Sequence, residues 1–281
     1  MRMTEVQVIT DSSTDVPPDV ARRLGITVIP CLVRFGRKFY REGVDLTPQA
    51  FYALLRKTPV ATSQPAVGVF EEIYRQAAER GRQIISIHSA GKLSGIYNAA
   101  CSAARCLPQA VIEVVDSHSA SLGAGLLSVA AAEAAQRGES LAAIADKVRN
   151  MVGRVRVFAV LDTLDYVRRG GRVTWALAIV GSLLSIKPLV MLREGQVDLL
   201  ERPRTLSAAL RRLVDRVGEL GALEQMWVLH TRAPEAAERL ADMLAGIFPR
   251  EQMAIAEAGV AIAAHAGPGA VGAACLVSSG L

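Results

Sequence analysis

Gln83-Ile-Ile-Ser-Ile-His-Ser-Ala-Gly-Lys-Leu-Ser-Gly95 decides the fold. Its residues through Ile87 are an apolar, β-type run, a loop containing glycine and serine follows, and a helix begins at about Ser94. The same alternation continues on both sides. Upstream, Val6-Gln-Val-Ile-Thr10 reads as a short buried strand, Pro17-Pro18 open a helix through Leu24, and Ile26 to Pro30 is a strand. Leu32 to Phe35 with Lys38 to Tyr40 forms a hairpin around Gly36-Arg37, and Thr47-Pro48 start another helix. Beyond Val69, a helical period carries Phe70, Ile73, Tyr74 and Ala77 to Gly81. Downstream come a strand from Val111 to Val115, a helix of small residues from Leu122 to Gln136, and a helix from Ser140 to about Met151. Strands alternating with helices imply a mostly parallel, Rossmann-like sheet.

A length of 281 residues exceeds the usual size of one compact core, and the strand Val155 to Val160 restarts the pattern. The expected division lies near Gly153: an N-terminal α/β domain, 1–152, and a C-terminal α/β domain with a mixed sheet, 153–281. The second half contains a strand Leu189 to Leu192, a hairpin turn at Arg193-Glu-Gly-Gln196, a helix Leu206 to Val217, a strand Met226 to His230 and a helix through Met243. Ala254-Ile-Ala256, a helix-like Val260 to Ala264, the loop His265-Ala-Gly-Pro-Gly269 and a strand Val271 to Val277 complete it.

The apolar segment from Thr174 to Lys187, entered through Arg168-Arg169-Gly170, is broken by Ser182 and Ser185 and is shorter than the roughly 20 apolar residues of a bilayer span. Thr174 can cap a helix to about Ile186, which Pro188 stops. Periodicity alone favours an ordinary buried helix, but cations leading into apolar surface also suit a greasy ligand with an acidic end.

Composition narrows the function. Hydrophobic residues make up 51%, charged residues 21% and aromatic residues 5%, with a net charge of +5. That is globular, only moderately basic and poor in stacking side chains, so nucleic-acid binding is not expected. Cys31, Cys101, Cys106 and Cys275 lack C-x-x-C spacing and the histidines are scattered, so neither a disulfide framework nor a metal site is expected. With no apolar signal core near the N-terminus, the expectation is cytoplasmic, with no transmembrane segment and at most transient membrane-surface contact. No P-loop or strand-linked G-x-G-x-x-G is present, so no cofactor is expected.

Three segments are rich in hydroxyls and glycine: Asp11-Ser-Ser-Thr14, Thr62-Ser-Gln-Pro65 and Ser89 to Gly95. Loops at the carboxyl ends of parallel strands converge on a ligand crevice, and Ser94-Gly95 at a helix start favours an anion. Helix capping explains any one of them, but three in one half favour a site. A Ser94, His265 and Asp116 set keeps a serine-dependent acyl hydrolase as the alternative, although no G-x-S-x-G elbow supports it. A basic interaction or regulatory module is the third reading.

Ile9-Thr-Asp-Ser-Ser13, Thr62-Ser-Gln-Pro65, Leu93-Ser-Gly95 with Tyr97-Asn98, Asp116-Ser117, Arg168-Arg-Gly-Gly-Arg172, Gly181-Ser-Leu-Leu184 with Ile186-Lys-Pro188, Arg204-Thr205, and His265 with Gly267-Pro-Gly269 stand in this order. Together they make the chain resemble, over nearly its whole length, the bacterial DegV family of fatty-acid-binding proteins, including fatty-acid kinase carrier subunits. The resemblance implies a non-catalytic, two-domain α/β carrier with a long-chain fatty acid between its domains. It implies that Thr62 and Ser94, with Ser63, Gly95, Asn98 and His265, form the carboxylate site, and that Ala178, Gly181, Leu184 and Ile186 line the acyl tunnel. It further implies that Arg169 and Arg204 face a partner fatty-acid kinase subunit, which binds ATP and converts the acid to an acyl phosphate, and the charge of Arg172 suits the same partner- or phosphate-facing surface. The chain departs from the family pattern at Ile96 and Ala266, where threonine is usual.

Physics supports such a ligand. Burying a tail of about sixteen carbons contributes on the order of 11 kcal/mol before binding entropy is subtracted. The carboxylate must then meet donors, for which the hydroxyls of Thr62 and Ser94, a helix-start N–H and a protonatable His265 are the expected groups.

Overall fold

The computed structural model describes residues 5–173 and 186–280. The first half runs β1 (Val6–Asp11), α1 (Pro18–Leu24), β2 (Thr27–Ile29), β3 (Leu32–Phe35), β4 (Lys38–Arg41), α2 (Pro48–Leu55), β5 (Val60–Ser63), α3 (Val67–Glu79), β6 (Gln83–His88), α4 (Ile96–Arg105), β7 (Ile112–Asp116), α5 (Leu122–Gln136) and α6 (Leu141–Val152). The second runs β8 (Val155–Val160), α7 (Asp165–Gly170), β9 (Leu189–Arg193), β10 (Gln196–Glu201), α8 (Leu206–Gly218), β11 (Leu223–His230), α9 (Pro234–Leu244), β12 (Ala254–Glu257), α10 (Val260–Ala266) and β13 (Val271–Val277).

The first sheet has the order β2-β1-β6-β7, and all its pairs are parallel. Both faces are covered: Val6, Val8, Ile85 and Ile87 enter one apolar cluster, while Ile9 and Ile84 enter another with α3 and α4. Such double burial is why branched aliphatic residues occupy both faces of β1 and β6. The second sheet, β10-β9-β8-β13-β11-β12, is mixed, with β11–β12 its parallel pair. Both sheets agree with the expected α/β class.

A third sheet, β4-β3-β5, is antiparallel, and here the sequence reading needs correction. No strand was expected over Val60–Ser63, but Thr62 and Ser63 end one, because β3 supplies its partner in the register Leu32↔Ser63 and Val33↔Thr62. A second correction concerns His265, which is on the last turn of α10 and not in the following loop. Gly267, at φ +76°, donates its N–H to Ala263 O at 2.9 Å and ends the helix just beyond it.

α5 connects the layers. Its Leu122, Leu126 and Leu127 share one cluster with β1 and β6 residues and with Val155, Val157, Ala274 and Leu276 of β8 and β13. Gly123 permits the approach, since a Cβ there would lie 3.1 Å from Val155 Cγ1. The expected Thr174-capped helix, with Ala178, Gly181 and Leu184, lies outside the described residues.

Candidate functional site

The carboxyl-end loops of β1, β5 and β6 face β8, β9 and α10 across a cavity of about 720 Å³. Ligand cavities typically measure about 300–1,000 Å³. Much of the wall is aliphatic, with Val157, Leu161, Val190, Leu192 and Leu229 among its residues.

One polar cluster combines residues far apart in the chain. Thr62 Oγ1 and His265 Nε2 share a 2.8 Å hydrogen bond, and Ser63, Gln64, Ser94, Gly95 and Arg172 join them around the cavity. Leu93 N and Ser94 N both donate to Ala90 O, at 2.9 and 3.0 Å, which fixes the loop ahead of α4. Ser94 Oγ accepts from Ile96 N at 3.4 Å, leaving its proton uncommitted. Gly95 leaves room for the Gln64 side chain, since a Cβ would run into Gln64 Oε1 and lie 2.8 Å from Gln64 Cδ, forcing that side chain to move.

His265 Nδ1 is buried without a partner. Burial, and secondarily the charge of Arg172, push the imidazole pKa down to about 4. It is therefore neutral near pH 7, although the sequence left a protonated ring open. Gly170 allows this packing, since a Cβ there would contact the ring and lie 3.2 Å from Cε1.

The other expected residues are distributed more widely. Ser63 is exposed and donates to Gln64 O at 3.3 Å. Asn98 stands on the exposed side of α4, where its carbonyl accepts from Ser102 Oγ at 2.8 Å, and the cavity wall does not include it. Ile186 packs with Leu161, Val167, Val173 and Val190, residues that themselves face the cavity. Ile96, one of the departures, is buried between the cavity and the α3–α4 core, and Ala266 also lines the wall. Exposed Arg172 donates to Gly170 O at 2.7 Å, Arg169 lies 5.9 Å from the Tyr166 ring centroid, and exposed Arg204 precedes Thr205, the cap of α8.

Two buried networks escaped the sequence reading. Asp11 Oδ2 pairs with His88 Nδ1 at 2.9 Å, and His88 Nε2 meets Ser86 Oγ at 2.7 Å. Glu42 and Asp15 instead hold the start of α10, accepting from Ala261 N at 3.0 Å and Gly259 N at 2.7 Å. Gly259 allows this clamp, since a Cβ would stand 3.0 Å from Asp15 Oδ1. Burial pushes Asp15 up to about 8 and also raises Glu42, although Ser121 and Ser12 hydrogen bonds oppose these shifts. Isolated acids more than 200 positions from α10 carry no local signal of that role.

The geometry is unfavourable to the Ser94, His265 and Asp116 hydrolase set. His265 Nε2 is engaged by Thr62, while Asp116 accepts from Gly91 N and His118 N, the latter at 2.9 Å. The Ser86–His88–Asp11 chain has the order of a charge relay, but all three side chains are fully buried and Ser86 also meets Tyr74 OH at 2.7 Å. It has no exposed nucleophile. Among the described residues, no group of three or more His, Cys, Asp or Glu side chains could hold a metal ion, and no helix is long and apolar enough to cross a membrane.

A family model described as "Uncharacterised protein, DegV family" matches residues 5–277. The chain belongs to the DegV family. A DegV domain-containing protein of Streptomyces coelicolor is 38% identical over 274 residues, covering 95% of this chain and 96% of the relative. A DegV family protein from Thermus thermophilus, described for its fatty acid binding, is 31% identical with a TM-score of 0.90, covering 98% of this chain and 100% of its own. A fatty acid binding DegV family protein from Streptococcus agalactiae is 28% identical with a TM-score of 0.89, again covering 98% and 100%. The DegV fold therefore extends over the chain, and the two solved relatives are fatty acid binders.

Proposed function

We propose that this DegV protein carries one long-chain fatty acid in the cavity between the units formed by residues 1–152 and 153–281, and offers its carboxylate to a partner kinase. The observation that carries this reading is the cavity of about 720 Å³, largely aliphatic yet furnished with Thr62, Ser94 and His265. The tail gains burial against the aliphatic wall, while the carboxylate accepts from Ser94 and the first-turn N–H groups of α4. Neutral His265 assists the carboxylate in the tautomer protonated at Nε2. If Nε2 carries the proton, Thr62 is free to donate to the ligand; if Nδ1 carries it, Thr62 donates to Nε2. Fatty acid binding by the two solved relatives supports this assignment.

Presentation to a kinase is the finer part of the proposal. It rests on the family resemblance and on exposed Arg169, Arg172 and Arg204, suited to a phosphate or an acidic partner surface. The carrier is proposed to act in the cytoplasm and to leave phosphoryl transfer to its partner.

Delipidated protein titrated with a fatty acid and its alcohol tests the headgroup assignment. Expected is a preference for the acid that falls on Thr62→Ala and further on combining it with Ser94→Ala; equal affinity for acid and alcohol removes the assignment. Arg169→Ala is expected to preserve lipid binding and slow acyl-phosphate formation by an added kinase. An unchanged rate refutes its partner role.

A further inference from the structure

The cavity hydroxyls differ in the fate of their protons. Ser13 Oγ donates to Asp11 Oδ1, which also accepts from Ser13 N at 3.0 Å. Burial opposes ionisation of Asp11, but the hydrogen bond and charge of His88, together with the Ser13 donors, outweigh it and hold the carboxyl below its ordinary range. Asp11 is therefore a carboxylate, which can only accept, and the single proton of Ser13 is committed to it. In the 2.7 Å contact between Ser13 Oγ and Ser89 Oγ, Ser89 must then be the donor. That bond uses the only proton of Ser89, so the hydroxyl keeps only lone pairs for a ligand.

Thr231 follows the same logic. Its Oγ1 donates to Gly267 O and accepts from Ala270 N at 2.9 Å. Ser13, Ser89 and Thr231 all line the cavity, whereas Ser94 retains its proton. A carboxylate gains no hydrogen bond from a hydroxyl with nothing to donate, but a ligand hydroxyl can donate to Ser89 Oγ without disturbing the chain of bonds to Asp11.

We propose that the Asp11–Ser13–Ser89 relay forms a selective acceptor site for a hydroxyl borne along the chain of a long-chain acid, and disfavours the carboxylate there. This deepens the fatty-acid reading and rests on it. The ligand class is a hydroxylated long-chain fatty acid, with its carboxylate at the Thr62–Ser94 cluster and its hydroxyl at Ser89.

The test uses the full-length, delipidated chain and competition binding. Octadecanoic acid is compared with monohydroxyoctadecanoic acids substituted at successive positions, and with the keto acids of the same positions. Expected is roughly three- to tenfold tighter binding than the parent for one isomer or two adjacent isomers, the size of one net hydrogen bond. The matching keto acid, which brings only an acceptor, should bind no tighter than the parent. In Ser89→Ala, the hydroxy-to-parent affinity ratio should fall to about one.

If the parent binds and no hydroxy isomer exceeds it, or if keto acids gain equally, the acceptor site is wrong while the carrier reading stands. Failure of both the parent and the whole panel to bind overturns the carrier reading and this inference with it. The hydroxy-to-keto comparison needs only the wild-type protein, so misfolding of the variant does not rescue the proposal.

Discussion

Replacing Asp15 with asparagine should stabilise the protein increasingly as pH rises. Asp15 accepts from Gly259 N at 2.7 Å and from Ser121 Oγ, and burial lifts its pKa from the ordinary 3.8 to about 8. The folded state thus holds a proton that the unfolded chain has already released across that interval. Stability associated with this group is complete below pH 3.8 and is lost as pH rises through about 8. At roughly 1.4 kcal/mol per unit, the loss approaches about 6 kcal/mol as an upper bound. An asparagine amide can accept from Gly259 through Oδ1 and donate to Ser121 through Nδ2, with no charge to desolvate. It also tolerates the left-handed backbone at this position, φ 54°. Urea unfolding of lipid-free wild type and Asp15→Asn at about pH 5, 7 and 9 provides the measurement. The stability difference should move in favour of the variant by up to about 1.4 kcal/mol per pH unit below pH ~8, then level off. A difference that stays flat, or moves the other way, refutes the burial argument.

His265 should show no imidazole titration by NMR above about pH 5.5 in lipid-free protein, because its pKa is held down to about 4. A bound carboxylate beside it should raise that pKa, so proton uptake accompanies binding and affinity weakens as pH rises through the bound-state value; an unchanged titration on loading contradicts their proximity. Gly95→Ala should displace Gln64 and weaken fatty-acid binding by roughly tenfold with little change in Tm, whereas unaltered affinity shows that this turn does not shape the site. Gly272→Ala should cost about 3 kcal/mol or more in urea unfolding, because a Cβ on β13 would strike Phe158 O and lie 3.1 Å from Ala159 Cα; a loss below about 1 kcal/mol counts against the close approach.

The parallel sheet was legible because β1 and β6 are buried on both faces and carry Val6, Val8, Ile9, Ile84, Ile85 and Ile87 without strict alternation. The hairpin of β3 and β4 was legible from its Gly36 turn, where φ is +58°. β5 was not, since Val60-Ala-Thr-Ser63 has little alternation and becomes a strand through pairing with β3. α7, only Asp165–Gly170, is too short to establish a period, so its arginines were read as a lead-in to the apolar segment. At the site, motif order identified Thr62, Ser94 and His265, but the 203-residue separation of Thr62 and His265 hid their hydrogen bond. Desolvation likewise decided the charge of His265, and a linear sequence does not display it.

α5 has a consequence for how the molecule holds together. The division expected near Gly153 does not interrupt the apolar seam: the same helix supports strands from both sides of that point. The hairpin of β9 and β10 adds a backbone tie across it, with Gly195 N donating to His118 O at 2.7 Å. A break in covalent connectivity there would strip each fragment of a wall on which its aliphatic surface depends, so the two halves should melt together as one cooperative body.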